Sequence, residues 1–163
     1  SACLPSLFKA VVIDGEPYWD GGYSGNPALF PLFYKTACPD ILVVQINPIE
    51  RRVTPRSAGD IQNRLNEIPF NGARMSELRA IDFVDRLIDQ GLLPKDRYKR
   101  NFVHRVDGGG ALLPFSAATK LEARWDLLVQ MRDIGRKAGK DWLTKHYDDI
   151  GQRDSVNLRM AYL

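Results

Sequence analysis

Short apolar runs typical of β-strands occupy three places along the chain. Residues 9–20 form two such runs around Asp14-Gly15, which predicts a hairpin because Asp-Gly adopts the positive φ angles of a tight turn. The run 41–46 is apolar nearly throughout, which predicts a strand buried on both faces in a parallel sheet. A third strand is predicted over residues 102–106.

Helical signals fill much of the remaining sequence. Asn26-Pro27 predicts the start of a short helix over residues 28–34, which Pro31 should disturb. Apolar residues at helical spacing predict a long helix from Ala58 to Gln90. We expect Pro69 to kink or split this helix and Gly91 to cap its C-terminus.

The last third of the chain is predicted to be mainly helical. A capping box at residues 119–122 predicts a helix to Ala138, which Gly139 should end. A further helix is expected from Asp141 to Gly151, and the tail 155–163 has room for another turn. The order of these elements predicts an α/β fold with a helical C-terminal third.

Composition places the chain among ordinary globular proteins. It has 163 residues, of which 44% are hydrophobic and 26% are charged, and this excludes disorder and low-complexity scaffolds. Two cysteines cannot form a disulfide framework, and no Cys/His cluster has zinc-ligand spacing. We therefore expect a reducing, cytoplasmic location. The longest apolar run is far shorter than the ~20 residues of a membrane span.

The net charge of +3 is unevenly distributed. Residues 51–106 carry twelve basic and seven acidic side chains, whereas residues 1–50 carry two and five. Residues 95–105 also mix basic and aromatic residues as nucleic-acid surfaces do. They match no nucleic-acid-binding signature, and a strand edge with basic side chains explains them equally well. We therefore predict no nucleic-acid partner.

Residues that could act as nucleophiles lack the usual surroundings. None of the serines lies in a Gly-x-Ser-x-Gly elbow, and Ser24 comes nearest, with Gly22 before it but Asn26 in place of the second glycine. His104 and His146 lie on different predicted elements, and structural or surface roles are favoured for both. The glycine-rich stretch 107–110 is interpreted as a connector, since no helix is predicted to start directly after it.

Asp20, followed by Gly21 and Gly22, is the strongest candidate for chemistry. Asp-Gly-Gly alone is a turn signal. Here the acid lies at the end of the second predicted hairpin strand and precedes a helix that begins with a proline. A carboxylate held at such a place could orient or deprotonate a neighbouring hydroxyl group.

The ordered set of motifs along the chain resembles bacterial patatin-like phospholipases. The motifs at the N-terminal end are residues 2–5 (ACLP), 7–8 (LF) and 18–27 (YWDGGYSGNP). One bacterial branch of that family is similar at residues 40–51 (DILVVQINPIER) and 63–68 (NRLNEI). Residues 120–151 resemble a helical extension that this branch carries after its catalytic domain.

The resemblance implies a fold and a site. Residues 1–106 would be the C-terminal part of an α/β/α three-layer catalytic domain, and 107–163 a mostly helical extension. Asp20 would be the aspartate of a Ser–Asp catalytic dyad that acts on a lipid or fatty-acyl ester, and Gly21 and Gly22 would support it. The family's chemistry needs no cofactor and no metal.

The family's glycine-rich oxyanion loop and its serine elbow precede the part that this chain resembles. The chain starts without a Met, as if cut from something longer, so we expect it to need the missing N-terminal half and to be inactive alone. Removing half of a covered sheet also predicts a homo-oligomer or a second chain that fills the gap. The alternative is a non-catalytic interaction or membrane-surface module, in which Asp-Gly-Gly is only a turn. Peripheral contact with a membrane is compatible with either hypothesis.

Overall fold

The computed structural model describes residues 2–5, 7–50, 53–115, 119 and 122–162, and these form a mixed α/β structure. Two small sheets are present in the described residues, together with three short 3₁₀ turns and four helices. The elements in chain order are β1 (Val11–Ile13), β2 (Glu16–Tyr18), α1 (Phe30–Lys35), β3 (Asp40–Gln45), α2 (Ala58–Asp89), β4 (Phe102–Asp107), α3 (Trp125–His146) and α4 (Leu158–Tyr162).

The predicted N-terminal hairpin is confirmed. Strands β1 and β2 pair antiparallel, with Val11 opposite Tyr18. Asp14 and Gly15, between the strands, have φ angles of 53° and 86°. These positive angles match the twist of a two-residue hairpin turn. The turn fixes where β2 ends, and so it also fixes the position from which the chain continues to Asp20.

The second sheet joins distant parts of the chain. Strand β3 pairs in parallel with β4, with Asp40 opposite Phe102 and Gln45 opposite Asp107, so the predicted parallel strand is confirmed. The expectation that both faces of this strand are buried is wrong. Side chains of β3 alternate, because successive residues point to opposite faces. On the face opposite the core, Leu42 and Val44 of β3 are 50% and 69% exposed.

Helix α1 begins two residues later than the sequence predicts. Pro31 lies in its first turn, where a missing N–H group removes no helical hydrogen bond, and Pro31 therefore starts the helix rather than disturbing it. The cap comes from another element. Glu77 of α2 accepts hydrogen bonds from the backbone N–H groups of Leu29 and Phe30.

Helix α2 runs without a break from Ala58 to Asp89, so the helix passes through Pro69 and the predicted split is absent. Ser57 caps its N-terminus by accepting a hydrogen bond from the Asp60 N–H. Gly91, with φ of 73°, follows its C-terminus as predicted. The Gly91 and Leu92 N–H groups bond to the last carbonyls of the helix, the arrangement typical of a glycine cap.

Two predictions about α3 are wrong. The helix begins at Trp125, after Arg124 in extended conformation, and not at the capping box of residues 119–122. Lys120 and Leu121 of that box lie outside the described residues. Glu122 is ion-paired with Arg124 instead.

The predicted break at Gly139 is absent, and the helix expected from Asp141 is the continuation of α3. The ion pair Lys137–Asp141 spans this glycine at i,i+4 spacing, and Trp142 packs against His104. Burial of the Trp142 side chain offsets the ~1 kcal/mol cost of a helical glycine.

One core joins the two halves of the chain. It lies between the covered face of the β3–β4 sheet and helices α2 and α4, and α3 packs on β4 from the other side. Leu158 and Tyr162 of α4, the predicted extra turn, share this core with Ile41 and Val103. This core contains residues from both sides of the predicted domain boundary between residues 106 and 107. The division into two domains therefore stays a prediction.

Candidate functional site

Asp20 is held by backbone contacts on both sides. It lies two residues beyond β2 and caps the 3₁₀ turn Gly21–Tyr23. Its N–H donates to the Cys3 carbonyl at 2.9 Å, and its Oδ1 accepts from the Gly22 N–H at 2.7 Å. Within the described part of the chain, no hydrogen bond reaches Oδ2. The half-buried carboxylate therefore has one anchored oxygen and one that can accept a further proton donor.

The two glycines after Asp20 differ in their surroundings. A Cβ at position 22 would lie 3.0 Å from Asp20 Oδ1 and 3.2 Å from Phe70 Cε1. A Cβ at position 21 would meet nothing within 4 Å. Neither glycine has a positive φ. Gly22 is thus needed for close approach of the turn to α2, whereas Gly21 meets no steric restriction.

The turn containing Asp20 rests on α2. The Tyr23 and Phe70 rings lie 5.2 Å apart with their planes tilted by 59°, a favourable aromatic geometry. No serine, threonine or cysteine side chain among the described residues hydrogen-bonds to Asp20. The arrangement can orient a hydroxyl group brought by another segment and accept its proton. Acyl transfer also needs a nucleophile and oxyanion donors at the same carbonyl group.

His104 and Asp40 form a buried pair away from Asp20. His104 is 1% exposed, its Nε2 lies 3.0 Å from Asp40 Oδ1, and its ring packs edge-on against Trp142. Asp40 Oδ1 also accepts a 2.7 Å hydrogen bond from the Gly151 N–H. Although burial opposes it, these two bonds hold the pKa of Asp40 below its ordinary value. The predicted structural role of His104 is confirmed, and the sequence alone did not single out Asp40.

His146 also has a structural environment. Its Nδ1 lies 2.8 Å from Asp149 Oδ2, three residues further along the chain. Its ring centroid is 5.8 Å from that of Trp142. Each imidazole is therefore paired with a different aspartate, and both rings lie close to Trp142.

Arg100 lies among three carboxylates that the sequence analysis did not identify. It pairs with Asp89 at 3.1 Å, with Asp154 at 3.2 Å and with the buried Asp85 at 3.7 Å. Burial raises the pKa of Asp85 to about 6, against the effects of the Asn101 N–H and Arg100. This cluster ties the end of α2 to the start of β4. In the described ranges, no group of histidines, cysteines and carboxylates is arranged to hold a metal ion.

The basic segment 95–105 is tied into the fold. Lys99 Nζ donates to the carbonyls of Leu32, Thr36 and Cys38, which lie at the C-terminal end of α1. A lysine at this end of a helix stabilises carbonyl groups that have no partner within the helix. Together with Arg100, it accounts for two of the basic residues of this segment by intramolecular contacts.

None of the described helices has the length and apolar character required to cross a bilayer. The geometry thus gives one anchored carboxylate with a free oxygen at Asp20, and structural roles for both histidines. Comparison of the chain with protein-family models, with curated proteins and with solved structures gives no significant match.

Proposed function

We propose that this chain contributes the catalytic aspartate of a patatin-like Ser–Asp acyl hydrolase, and that Asp20 is that residue. The observation that carries the proposal is the anchoring of Asp20. One of its oxygens is fixed by the Gly22 N–H, and the other is free to accept a proton. The serine would come from a segment N-terminal to this chain, and the substrate would be a lipid or fatty-acyl ester.

In the proposed reaction, the serine hydroxyl attacks the ester carbonyl while Asp20 takes its proton. The carbonyl π electrons move onto the oxygen, where donors of the missing segment would stabilise the negative charge. Collapse of this intermediate expels the alcohol, which takes the proton from Asp20. Water then hydrolyses the acyl-serine in the same manner, again with Asp20 as the base. No histidine is involved.

Exposed apolar surface supports the proposal that a further part of the fold covers this chain. Leu42 and Val44 are exposed on one face of β3, although parallel sheets are normally covered on both faces. The N-terminal hairpin also exposes Val12 and Trp19, by 64% and 50%. A complete α/β/α three-layer domain would cover the open sheet face. We place the complete protein in the cytoplasm, with peripheral contact at a membrane when it acts on lipid.

The proposal is tested by expressing the chain alone and joined to its upstream coding sequence. Both proteins are treated with a fluorophosphonate, which labels activated serines, and assayed on p-nitrophenyl esters. We expect no turnover by the chain alone and both labelling and turnover by the longer protein. Absence of a labelled serine and of turnover in the folded longer protein would overturn the proposal.

A non-catalytic interaction module is the second candidate, and the exposed hairpin favours it. Seven large apolar side chains within residues 7–19 are more than 49% exposed: Leu7, Phe8, Val11, Val12, Ile13, Tyr18 and Trp19. An apolar surface of this kind marks a contact with a protein or a membrane. This candidate predicts that the upstream sequence lacks a Gly-x-Ser-x-Gly elbow and that the longer protein has no ester turnover.

A further inference from the structure

Helix α3 carries apolar side chains on the face that points away from the rest of the chain. Trp125, Leu143 and Tyr147, which directly follows the helix with helical backbone angles, are 76%, 50% and 67% exposed. At about 100° per residue, these three side chains lie within about 40° of one another around the helix axis. The buried Leu127 and the half-buried Ile134 lie on the opposite side of the helix. A surface helix normally carries polar residues on its outer face, so packing within this chain does not account for the three apolar side chains.

The same face carries basic side chains between the apolar ones. Arg132, Arg136 and Lys140 are exposed, and together with the three apolar side chains they span an arc of about 80°. Asp133 borders this arc and pairs with Arg132 at 2.9 Å. In the part of the chain that the structure describes, no carboxylate forms an ion pair with Arg136 or Lys140. These six side chains form the outward face of α3, which is positively charged because three basic groups stand against one bordering carboxylate.

The other acidic side chains of α3 lie to one side of this face. Asp126 and Asp141 fall outside the arc, and they pair with Arg124 and Lys137. They therefore neutralise other basic groups of the helix. A partner that meets the outward face of α3 directly meets basic and apolar side chains, so it has to be anionic and to accept apolar groups.

A second copy of this chain does not suit the outward face of α3. Arg136 lies midway along the chain between Trp125 and Tyr147, so a two-fold contact would bring it opposite its own counterpart, where like charges repel. The further part of the fold proposed above does not cover this face either. It would cover Leu42 and Val44 on the sheet, whereas the outward face of α3 points away from the sheet.

The order of the side chains along the helix favours a membrane over a protein as the partner. Protein interfaces have apolar side chains at their centre and charged ones at the rim. Here the order is reversed, because Arg132 and Arg136 lie in the middle while Trp125 and Tyr147 lie at the ends, about 33 Å apart. A helix that lies in the plane of a membrane meets the same layer along its whole length. Tryptophan and tyrosine are enriched in that layer, and anionic lipids attract arginine and lysine.

We propose that the outward face of α3 binds the surface of a membrane that contains anionic lipids. The three apolar side chains enter the boundary between headgroups and acyl chains, and the three basic side chains bind the lipid headgroups. The ion pairs of Asp126 and Asp141 stay on the side of the helix, in water. This inference goes beyond the function proposed for Asp20 and does not rest on it, because binding to a membrane surface needs neither Asp20 nor a serine.

The test is co-sedimentation of the 163-residue chain with vesicles of phosphatidylcholine alone, and with vesicles of phosphatidylcholine and phosphatidylserine in equal parts. We expect saturable binding to the anionic vesicles that weakens as salt is added, and much weaker binding to phosphatidylcholine alone. The double variant Arg132→Gln/Arg136→Gln should bind at least about tenfold more weakly, since each basic residue near such a surface contributes about a factor of five. The double variant Arg79→Gln/Arg97→Gln removes the same charge from exposed positions elsewhere and should bind like wild type.

A second pair of variants tests the apolar contribution. Trp125→Ser should weaken binding to the anionic vesicles, because the apolar area that the indole ring buries in the membrane is lost. Trp19→Ser changes an exposed tryptophan of the N-terminal hairpin and should bind like wild type. The α3 variants change exposed side chains, so each should keep the unfolding midpoint of wild type.

Three results would overturn the proposal: no binding of the wild-type chain to anionic vesicles, equal binding to the two kinds of vesicle, or equal binding by the two double variants. Loss of binding in Trp19→Ser but not in Trp125→Ser would also overturn it, because the hairpin would then be the surface that meets the membrane. Vesicle binding is measured without an ester substrate. Its outcome is therefore separate from that of the turnover experiment on Asp20.

Discussion

The Oδ1 atom of Asp20 accepts a 2.7 Å hydrogen bond from the backbone N–H of Gly22, and this bond sets the direction of the carboxylate. A Cβ at position 22 would also lie 3.2 Å from Phe70 Cε1, so α2 limits the room for a side chain at this turn. A side chain at position 22 would disturb both contacts at once. The two glycines of the turn therefore provide a test of how Asp20 is held.

Gly22→Ala should lower stability and Gly21→Ala should not. The new methyl group at position 22 would lie 3.0 Å from the Asp20 carboxylate and 3.2 Å from Phe70. Relief of this crowding costs about 1–3 kcal/mol of unfolding free energy. At position 21 the methyl group meets nothing, so a change within about 0.5 kcal/mol is expected. Urea denaturation measures both variants, and equal stabilities would show that the turn is not restricted by Phe70.

Asp40→Ala should destabilise the fold, although Asp40 lies at the end of a strand. The Asp40 carboxylate bonds to His104 of β4 and to the Gly151 N–H beyond α3. Its loss leaves a buried imidazole without an acceptor, at a cost of about 1–3 kcal/mol. Asp126→Ala, at an exposed carboxylate of α3, is the control. Equal unfolding midpoints for Asp40→Ala and Asp126→Ala would contradict this prediction, because the Asp40 carboxylate would then not stabilise the contact between the segment after α3 and the sheet.

Asp85→Asn should raise stability at neutral pH. Burial raises the pKa of folded Asp85 to about 6, so the folded state binds an extra proton between the unfolded pKa and pH 6. Wild-type stability from this group is therefore present at low pH and lost as pH rises through about 6. Asparagine does not titrate, so the variant does not lose this stability as pH rises. Its unfolding free energy should exceed that of wild type by at most about 3 kcal/mol at pH 8. The advantage should disappear below about pH 4.

Asp89→Asn is the matched control for this pH dependence, since Asp89 also pairs with Arg100 but is largely exposed. Unfolding free energies of the three proteins are compared from pH 4 to pH 8. A stability difference between Asp85→Asn and wild type that does not change with pH would contradict the assignment of the raised pKa to Asp85.

The chain should self-associate through the exposed face of strand β3. Val44 is 69% exposed on that face, and an aspartate there would have to be buried in any contact between copies. Val44→Asp is expected to weaken association at least about tenfold. Val53→Asp changes an 83% exposed loop residue and should have no effect. Light scattering that finds a monomer for wild type, or equal masses for the two variants, would contradict this prediction.

The sequence predicts the elements that depend on neighbouring residues. Asp14-Gly15 specifies its hairpin, and Gly91 ends α2, because each residue acts through its own backbone angles. Distant contacts account for the errors. The cap of α1 is Glu77, 48 residues from Leu29, and no local pattern could reveal it. Likewise, α3 continues through Gly139 because Trp142, in the next turn of the helix, packs against His104 of β4.

The candidate site shows the same limit. Asp20 could be selected from its turn sequence, since the hydrogen bond that its carboxylate accepts from the Gly22 N–H is local. The burial of Arg74 could not be predicted, because an arginine in a helix is usually exposed and its contact with Tyr162 comes from a distant part of the chain. Residues on the same face of a helix therefore take different roles, in the core, in an ion pair or in a site, and the distant strand that packs against them decides which.

The central claim, that Asp20 is a catalytic base, is tested most directly by the ester turnover of the longer protein carrying Asp20→Asn. Asparagine keeps the shape of the side chain but cannot take a proton from serine. Asp14→Asn makes the same chemical change in the hairpin turn, where asparagine tolerates the φ of 53°. The account predicts that Asp20→Asn lowers turnover by about 10²–10⁴-fold with unchanged unfolding temperature, and that Asp14→Asn does not. Wild-type turnover by a folded Asp20→Asn protein would contradict it.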